Sequence, residues 1–222
     1  MRSTREPTRA PERPPRDGSA RSRGSRAVAI AIVVAVAAST VRAESLDLAR
    51  LMQMLGGVRA GEATFVERRD VHMLDRALVS RGRLSFEAPD TFVRETTEPR
   101  AERLAITGDT LTVTQGGRRR TLQIDAAPEA ALIVEAIRGT LTGNRAALER
   151  HFDARVSGTP EQWWLDLVPR DERLRNTVKA VRVGGRQAQV REVDVYLADG
   201  DSSTMTIEPA ARSRTDTPRT RP

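Results

Sequence analysis

The chain of 222 residues carries 37 Lys and Arg against 30 Asp and Glu and has no cysteine, which excludes disulfide scaffolds, thiolate zinc sites and thiol nucleophiles. Two histidines and seven aromatic residues leave little for a His-rich metal centre or a base-stacking nucleic-acid platform, so no metal, cofactor or nucleic-acid partner is expected. The pI of about 11.1 comes from the ends: residues 1–43 carry a net +6, whereas residues 44–209, with 24 basic and 26 acidic side chains, are near neutral and do not have the charge of a DNA-binding domain.

Residues 1–26 are rich in Arg, Pro and Ser, and twelve small or apolar residues (27–38, AVAIAIVVAVAA) follow them. Val41 and Ala43 then stand at the minus 3 and minus 1 places of a cleavable secretory signal, which predicts a signal peptide over 1–43 and a mature chain beginning at Glu44. Twelve apolar residues fall short of the roughly 20 a spanning helix needs, and an uncleaved interfacial anchor is the alternative. No cysteine follows the signal to carry acyl groups, so the exported protein is expected to be soluble in the periplasm.

Ser45 is placed to cap a helix whose Leu48, Leu51, Met52 and Leu55 recur at i, i+3, i+4 and i+7, with Gly56-Gly57 as a left-handed stop. From Gly61 the period shortens to two. Strands are predicted over 63–70, 81–87, 91–98, 102–107, 110–114 and 119–124, joined by Ala88-Pro89-Asp90, Gly108-Asp109 and Gly116-Gly117. Pro128 then opens a helix to about Arg138 with Leu132, Ile133, Ala136 and Ile137 as its apolar stripe, and Asn144 caps a second over 144–150. Strands resume over 152–157, 162–168, 177–183, 188–197 and 203–207, with Gly184-Gly185 and Asp199-Gly200-Asp201 read as the last hairpin turns. The Arg- and Pro-rich residues 210–222 read as a disordered tail.

One helix, six strands, a helical insertion and five strands make a mainly β protein with a strongly curved antiparallel sheet or open barrel. Its strands present one apolar row each: Leu84 and Phe86; Leu104 and Ile106; Leu111 and Val113; Leu122 and Ile124; Trp163, Leu165 and Leu167; Val193, Val195 and Leu197; Met205 and Ile207. The opposite rows are mostly charged or hydroxyl-bearing. A dry concave face of this size is filled by its own side chains, covered by helices or occupied by an apolar ligand.

Nothing in the chain has the spacing of a catalytic centre. His72 and His151 lie far apart in charged surroundings, and Asp199 and Asp201 sit in a turn that favours aspartate for backbone reasons. Arg118-Arg119-Arg120 suits an acidic partner or, equally, a strand edge protected by charge. Of the adjacent Trp163 and Trp164, alternation sends one inward, and Trp163 shares parity with Leu165 and Leu167.

Phe65-Val66-Glu67-Arg68, Gly82-Arg83-Leu84-Ser85-Phe86-Glu87-Ala88-Pro89-Asp90-Thr91-Phe92, Glu98-Pro99 and Ile106-Thr107-Gly108-Asp109-Thr110-Leu111, in this order, resemble the LolA-like outer-membrane lipoprotein carrier family over about residues 44–208. The resemblance implies an unclosed antiparallel β-barrel of about eleven strands in a domain over 44–209, with an N-terminal helix and a helical lid insertion. It also implies a non-enzymatic periplasmic carrier that shields acyl chains in an apolar cavity during transfer to the outer membrane. The lipid-binding residues expected from the rows and the resemblance are Phe65, Leu84, Phe86, Phe92, Leu104, Ile106, Leu111, Val113, Leu122, Ile124, Ile133, Ile137, Trp163 and Leu165. Implied partners are an acylated lipoprotein or lipid cargo, an inner-membrane donor transporter and an outer-membrane acceptor, served by a monomer. Two positions depart from the family pattern: Ala88 stands where an arginine commonly precedes the turn proline and latches the lid, and Arg94 replaces an aromatic. A glycolipid or fatty acyl conjugate therefore competes with lipoprotein as cargo, and a lipid-sensing or binding module accessory to a lipid exporter is the alternative function.

Overall fold

The computed structural model describes residues 46–210. The predicted signal peptide with its cleavage site, the predicted Ser45 cap and the rest of the predicted tail after Ala210 lie outside the described residues. The first helix, α1 (Leu48–Leu55), is capped by Asp47, whose carboxylate accepts the Arg50 backbone N–H at 2.7 Å. Leu51, Met52 and Leu55 are buried as the spacing predicted. The helix does not end on a left-handed glycine: Gly56 keeps a right-handed φ of −61°. Glycine is needed there for closeness, since a Cβ would stand 3.2 Å from the carbonyl oxygens of both Met52 and Thr142, where the ends of two helices meet.

Eleven strands follow the predicted order: β1 (Ala60–Asp70), β2 (Leu78–Glu87), β3 (Thr91–Glu98), β4 (Glu102–Thr107), β5 (Thr110–Gln115), β6 (Arg118–Gln123), β7 (Phe152–Thr159), β8 (Gln162–Pro169), β9 (Val178–Arg186), β10 (Gln189–Leu197) and β11 (Ser202–Pro209). They form one antiparallel sheet in the order β6-β5-β4-β3-β2-β1-β11-β10-β9-β8-β7, in which β1 and β11 pair at the centre and β6 and β7 are unjoined edges. Among the described residues no helix is long and apolar enough to cross a membrane.

The structure lengthens several predicted strands, β1 to begin at Ala60 and β2 at Leu78 among them, and three further corrections have a visible cause. Gly184 and Gly185 belong to β9 and do not turn: a Cβ on either would lie 2.3 Å from the ring of Trp164 or Trp163, so these glycines make room for the two indoles. The turn comes later, at Gln187, with φ 52°. Ile124 leaves β6 and opens a 3-10 turn (Ile124–Ala126) as a buried residue. Finally, β11 extends to Pro209, and Ala210, expected to begin the tail, donates its N–H to Glu62 O at 2.8 Å.

The insertion between β6 and β7 holds α2 (Pro128–Leu141) and α3 (Arg145–His151). Asn144 caps α3 as predicted, accepting the Ala147 N–H at 3.0 Å. Gly139 lets the two helices close, since a Cβ there would meet Leu148 Cδ2 at 2.7 Å. A one-turn helix, α4 (Glu172–Arg175), was not predicted and is capped by Asp171. The solid core sits at the β7–β9 end. Leu148, Phe152, Trp163, Leu165, Leu167, Val178 and Val181 have no exposed surface there, and they cluster with Leu51, Met52 and Leu55 of α1. The Trp163 indole N–H donates to Gln187 O at 2.8 Å, so even the polar atom of this ring is satisfied inside the core.

Candidate functional site

Away from that packed end, the inner face of the sheet borders a cavity of about 1150 Å³. Strand register builds its wall. The pairs Phe86↔Phe92, Phe92↔Ile106 and Ile106↔Leu111 place four large apolar side chains in one row across β2–β5. The next row runs Leu84↔Arg94 and Arg94↔Leu104. From the far side come Val193, Val195, Met205 and Ile207, and α2 contributes Ala130, Ile133, Val134, Ile137 and Leu141. Helix α2 thus works on two faces: Leu132, Ala136, Gly139 and Thr140 are buried, while Ile133 and Ile137 are half-buried and look into the cavity.

Eight of the fourteen predicted lipid-binding residues line this cavity: Leu84, Phe86, Phe92, Leu104, Ile106, Leu111, Ile133 and Ile137. The other six do not. Trp163 and Leu165 fill the core beneath α1 and α3, Phe65 lies buried under Arg94, and Ile124 closes the 3-10 turn. Val113 and Leu122 are half-buried towards the β6 edge. The lining from β10 and β11 belongs to rows that alternation marks as apolar but that were not in the predicted site.

A polar cluster interrupts the apolar wall. Glu67 lies on the same face of β1 as Phe65 and is 7% exposed. Its carboxylate accepts from Ser203 Oγ at 2.6 Å, Ser80 Oγ at 3.1 Å and Arg94 Nη2 at 2.5 Å, with Arg69 Nη2 3.7 Å away. Burial pushes the Glu67 carboxyl up, but the Ser203 hydrogen bond, the Arg94 and Arg69 charges and the Ser80 hydrogen bond together hold it below its ordinary value. The Arg94 guanidinium lies 4.8 Å above the Phe65 ring. That ring lies flat across β2 because Gly82 has no side chain; a Cβ there would meet Phe65 Cε1 at 2.8 Å and Glu95 O at 1.9 Å. The aromatic missing at position 94 is thus replaced by a cation stacked on the aromatic of β1.

Helix α2 is tied to the sheet by Arg138. Arg138 on α2 donates to Gly108 O in the β4–β5 hairpin at 2.5 Å, pairs with Glu135 at 2.8 Å and stands 3.6 Å from Asp109. Ala88 takes no part in this tie; its N–H donates to Arg59 O at 2.8 Å. His72 meets Asp201 only through its backbone N–H, and among the described residues no group of His, Cys, Asp or Glu is arranged to hold a metal ion. Arg118, Arg119 and Arg120 are exposed along the β6 edge.

Among solved structures, a LolA superfamily protein from Nitrosomonas europaea is 11% identical, with a TM-score of 0.42 over 77% of this chain and 96% of that one. A protein domain from Vibrio parahaemolyticus is also 11% identical (TM-score 0.41, 78% and 94% covered), and LprF from Mycobacterium bovis is 9% identical (TM-score 0.33, 72% and 91% covered). No curated protein sequence matches this chain. The family described as outer membrane lipoprotein carrier protein LolA-like matches residues 38–220, so the chain belongs to the LolA-like family.

Proposed function

We propose that this protein is a periplasmic, non-catalytic carrier that shields the acyl chains of a lipoprotein or related lipid in the cavity beneath α2. The observation that carries the reading is the size and lining of that cavity, about 1150 Å³ and walled mostly by half-buried apolar side chains. A methylene takes roughly the volume of a liquid water, about 30 Å³, so a sixteen-carbon chain needs about 480 Å³ and two such chains fit. At about 0.8 kcal/mol per buried methylene, one chain contributes on the order of ten kcal/mol. Capture is then easy and unaided release slow, which calls for donor and acceptor partners in the two membranes and for a lid that can be moved. Native mass spectrometry on protein produced with its own signal peptide and purified gently from periplasm tests the reading. A retained, extractable lipid with a long acyl chain is expected. Ligand-free protein together with no saturable binding of a fluorescent fatty-acid probe would leave a shared fold without a shared function.

A further inference from the structure

The polar cluster on the cavity wall is costly to an apolar container and is not needed to close the sheet. A buried carboxylate and guanidinium could be replaced by apolar side chains at little loss of stability, or with a gain. The cluster is also incomplete in two respects. Arg94 Nη2 is used by Glu67 and Ser80, but Arg94 Nε is buried with no hydrogen-bond partner among the described residues. And Glu67 is contacted by two guanidinium groups, those of Arg94 and Arg69, which leaves one positive charge in excess within the cluster. Arg94, Glu67 and Arg69 all line the cavity.

Nε has no exposed surface and is closed to the cavity, but the Arg94 side chain keeps 19% of its surface exposed and lines the cavity, so an anionic acceptor there would meet the guanidinium and cancel the excess charge. A neutral ester or hydroxyl could accept a hydrogen bond from the exposed part of the group but could not cancel the charge. The strand register supplies room for the rest of such a molecule. Arg94 is flanked across the sheet by Leu84 and Leu104, and the adjacent row of Phe86, Phe92, Ile106 and Leu111 continues the apolar surface on the cavity wall.

We infer that Arg94, held by Glu67 and stacked on Phe65, is a head-group site that selects amphiphiles carrying a carboxylate or phosphate oxyanion, with the acyl tail laid over the Phe86–Phe92–Ile106 row. This rests on the carrier reading and names the cargo chemistry within it. Glu67 is then a positioning residue: it fixes the guanidinium against the Phe65 ring and leaves the exposed part of the group to the ligand.

The test compares palmitate, palmitoyl lysophosphatidate and methyl palmitate as competitors of a fluorescent fatty-acid probe. In the parent protein at least one oxyanion ligand should bind about tenfold or more tightly than the methyl ester, as a charge-assisted hydrogen bond implies, and which of the two leads identifies the head group. Glu67→Gln, which frees the guanidinium charge, should widen the preference. The double variant Glu67→Gln with Arg94→Met removes both buried charges and keeps only Arg69, which is half-exposed and hydrated, so the oxyanion preference should collapse while the far-ultraviolet circular dichroism spectrum is kept. Equal affinities in the parent, or a preference that survives in the folded double variant, would overturn the inference and leave the carrier reading intact. No binding of any of the three would remove the carrier reading itself.

Discussion

Replacing Ile137 with glutamate puts a carboxylate on the face of α2 that looks into the cavity, one residue from Ala136, which has no exposed surface. The two positions therefore make a matched pair. At Ala136 a glutamate has no water and no partner, and forcing it in costs more than about 4 kcal/mol, enough to unfold a domain of ordinary stability. At Ile137 the side chain is half-buried and borders open volume, so the carboxylate can hydrate and the cost should stay within about 1–2 kcal/mol. Binding should respond in the opposite sense. An acyl chain packed on Ile137 loses its share of about 1.5–3 kcal/mol of apolar burial and meets a charge instead, which weakens binding by about tenfold to a hundredfold. Urea denaturation and titration with a fluorescent fatty-acid probe read the two effects separately. If Ile137→Glu unfolds the protein as Ala136→Glu does, the helix is plain core; if it binds the probe as tightly as the parent, α2 is not part of the site.

Gly185→Ala drives a Cβ against Trp163 Cζ2 and Gln189 O, at 2.3 and 2.4 Å, and should cost about 1–3 kcal/mol, seen as a lower urea midpoint and a shifted tryptophan emission. Because the Glu67 carboxyl titrates below its ordinary value of 4.5 in the folded protein, its contribution to stability is present above that value and lost as pH falls through the lower, folded one; Glu67→Gln should flatten the acid limb of a plot of urea midpoint against pH, and an unchanged limb would contradict the assignment. Arg138→Met removes the tie between α2 and Gly108 at a cost of about 1 kcal/mol, so amide exchange in α2 and probe release should both quicken with little change in overall fold.

The strand pattern was legible because alternation reports which face a side chain takes, and that was enough to lay out eleven strands along the chain and to put Phe86, Ile106 and Leu111 on inward faces; that these three share one row with Phe92 follows from the register. Alternation does not report what stands opposite that face. Trp163 and Leu165 share the inward face with the cavity residues, yet α1 and α3 cover their end of the sheet and leave the other end hollow. The paired glycines at 184 and 185 look like a turn to any local rule, and their reason is the two indoles of a neighbouring strand. Glu67 carried a usable signal, since it shares parity with Phe65, as Arg94 does with Phe92. Opposite charges on inward positions of β1 and β3 would have suggested a pair, but the register sets Arg94 level with Leu84 and Ala63, four residues from Glu67, and only the long arginine side chain laid over Phe65 brings the two charges together.

The unjoined edges β6 and β7 have a mechanical consequence. A closed barrel has its bore fixed by strand number and stagger. This sheet is bound by no such closure, and its curvature can change by adding or removing a little twist at each strand pair while every ladder hydrogen bond survives. The two ends are not equally stiff: packing against α1 and α3 clamps β7–β9, whereas β2–β5 curve over open volume. On the proposed carrier reading, cargoes of different girth would be accommodated by the swing of that side, with the packed end as a fixed jaw.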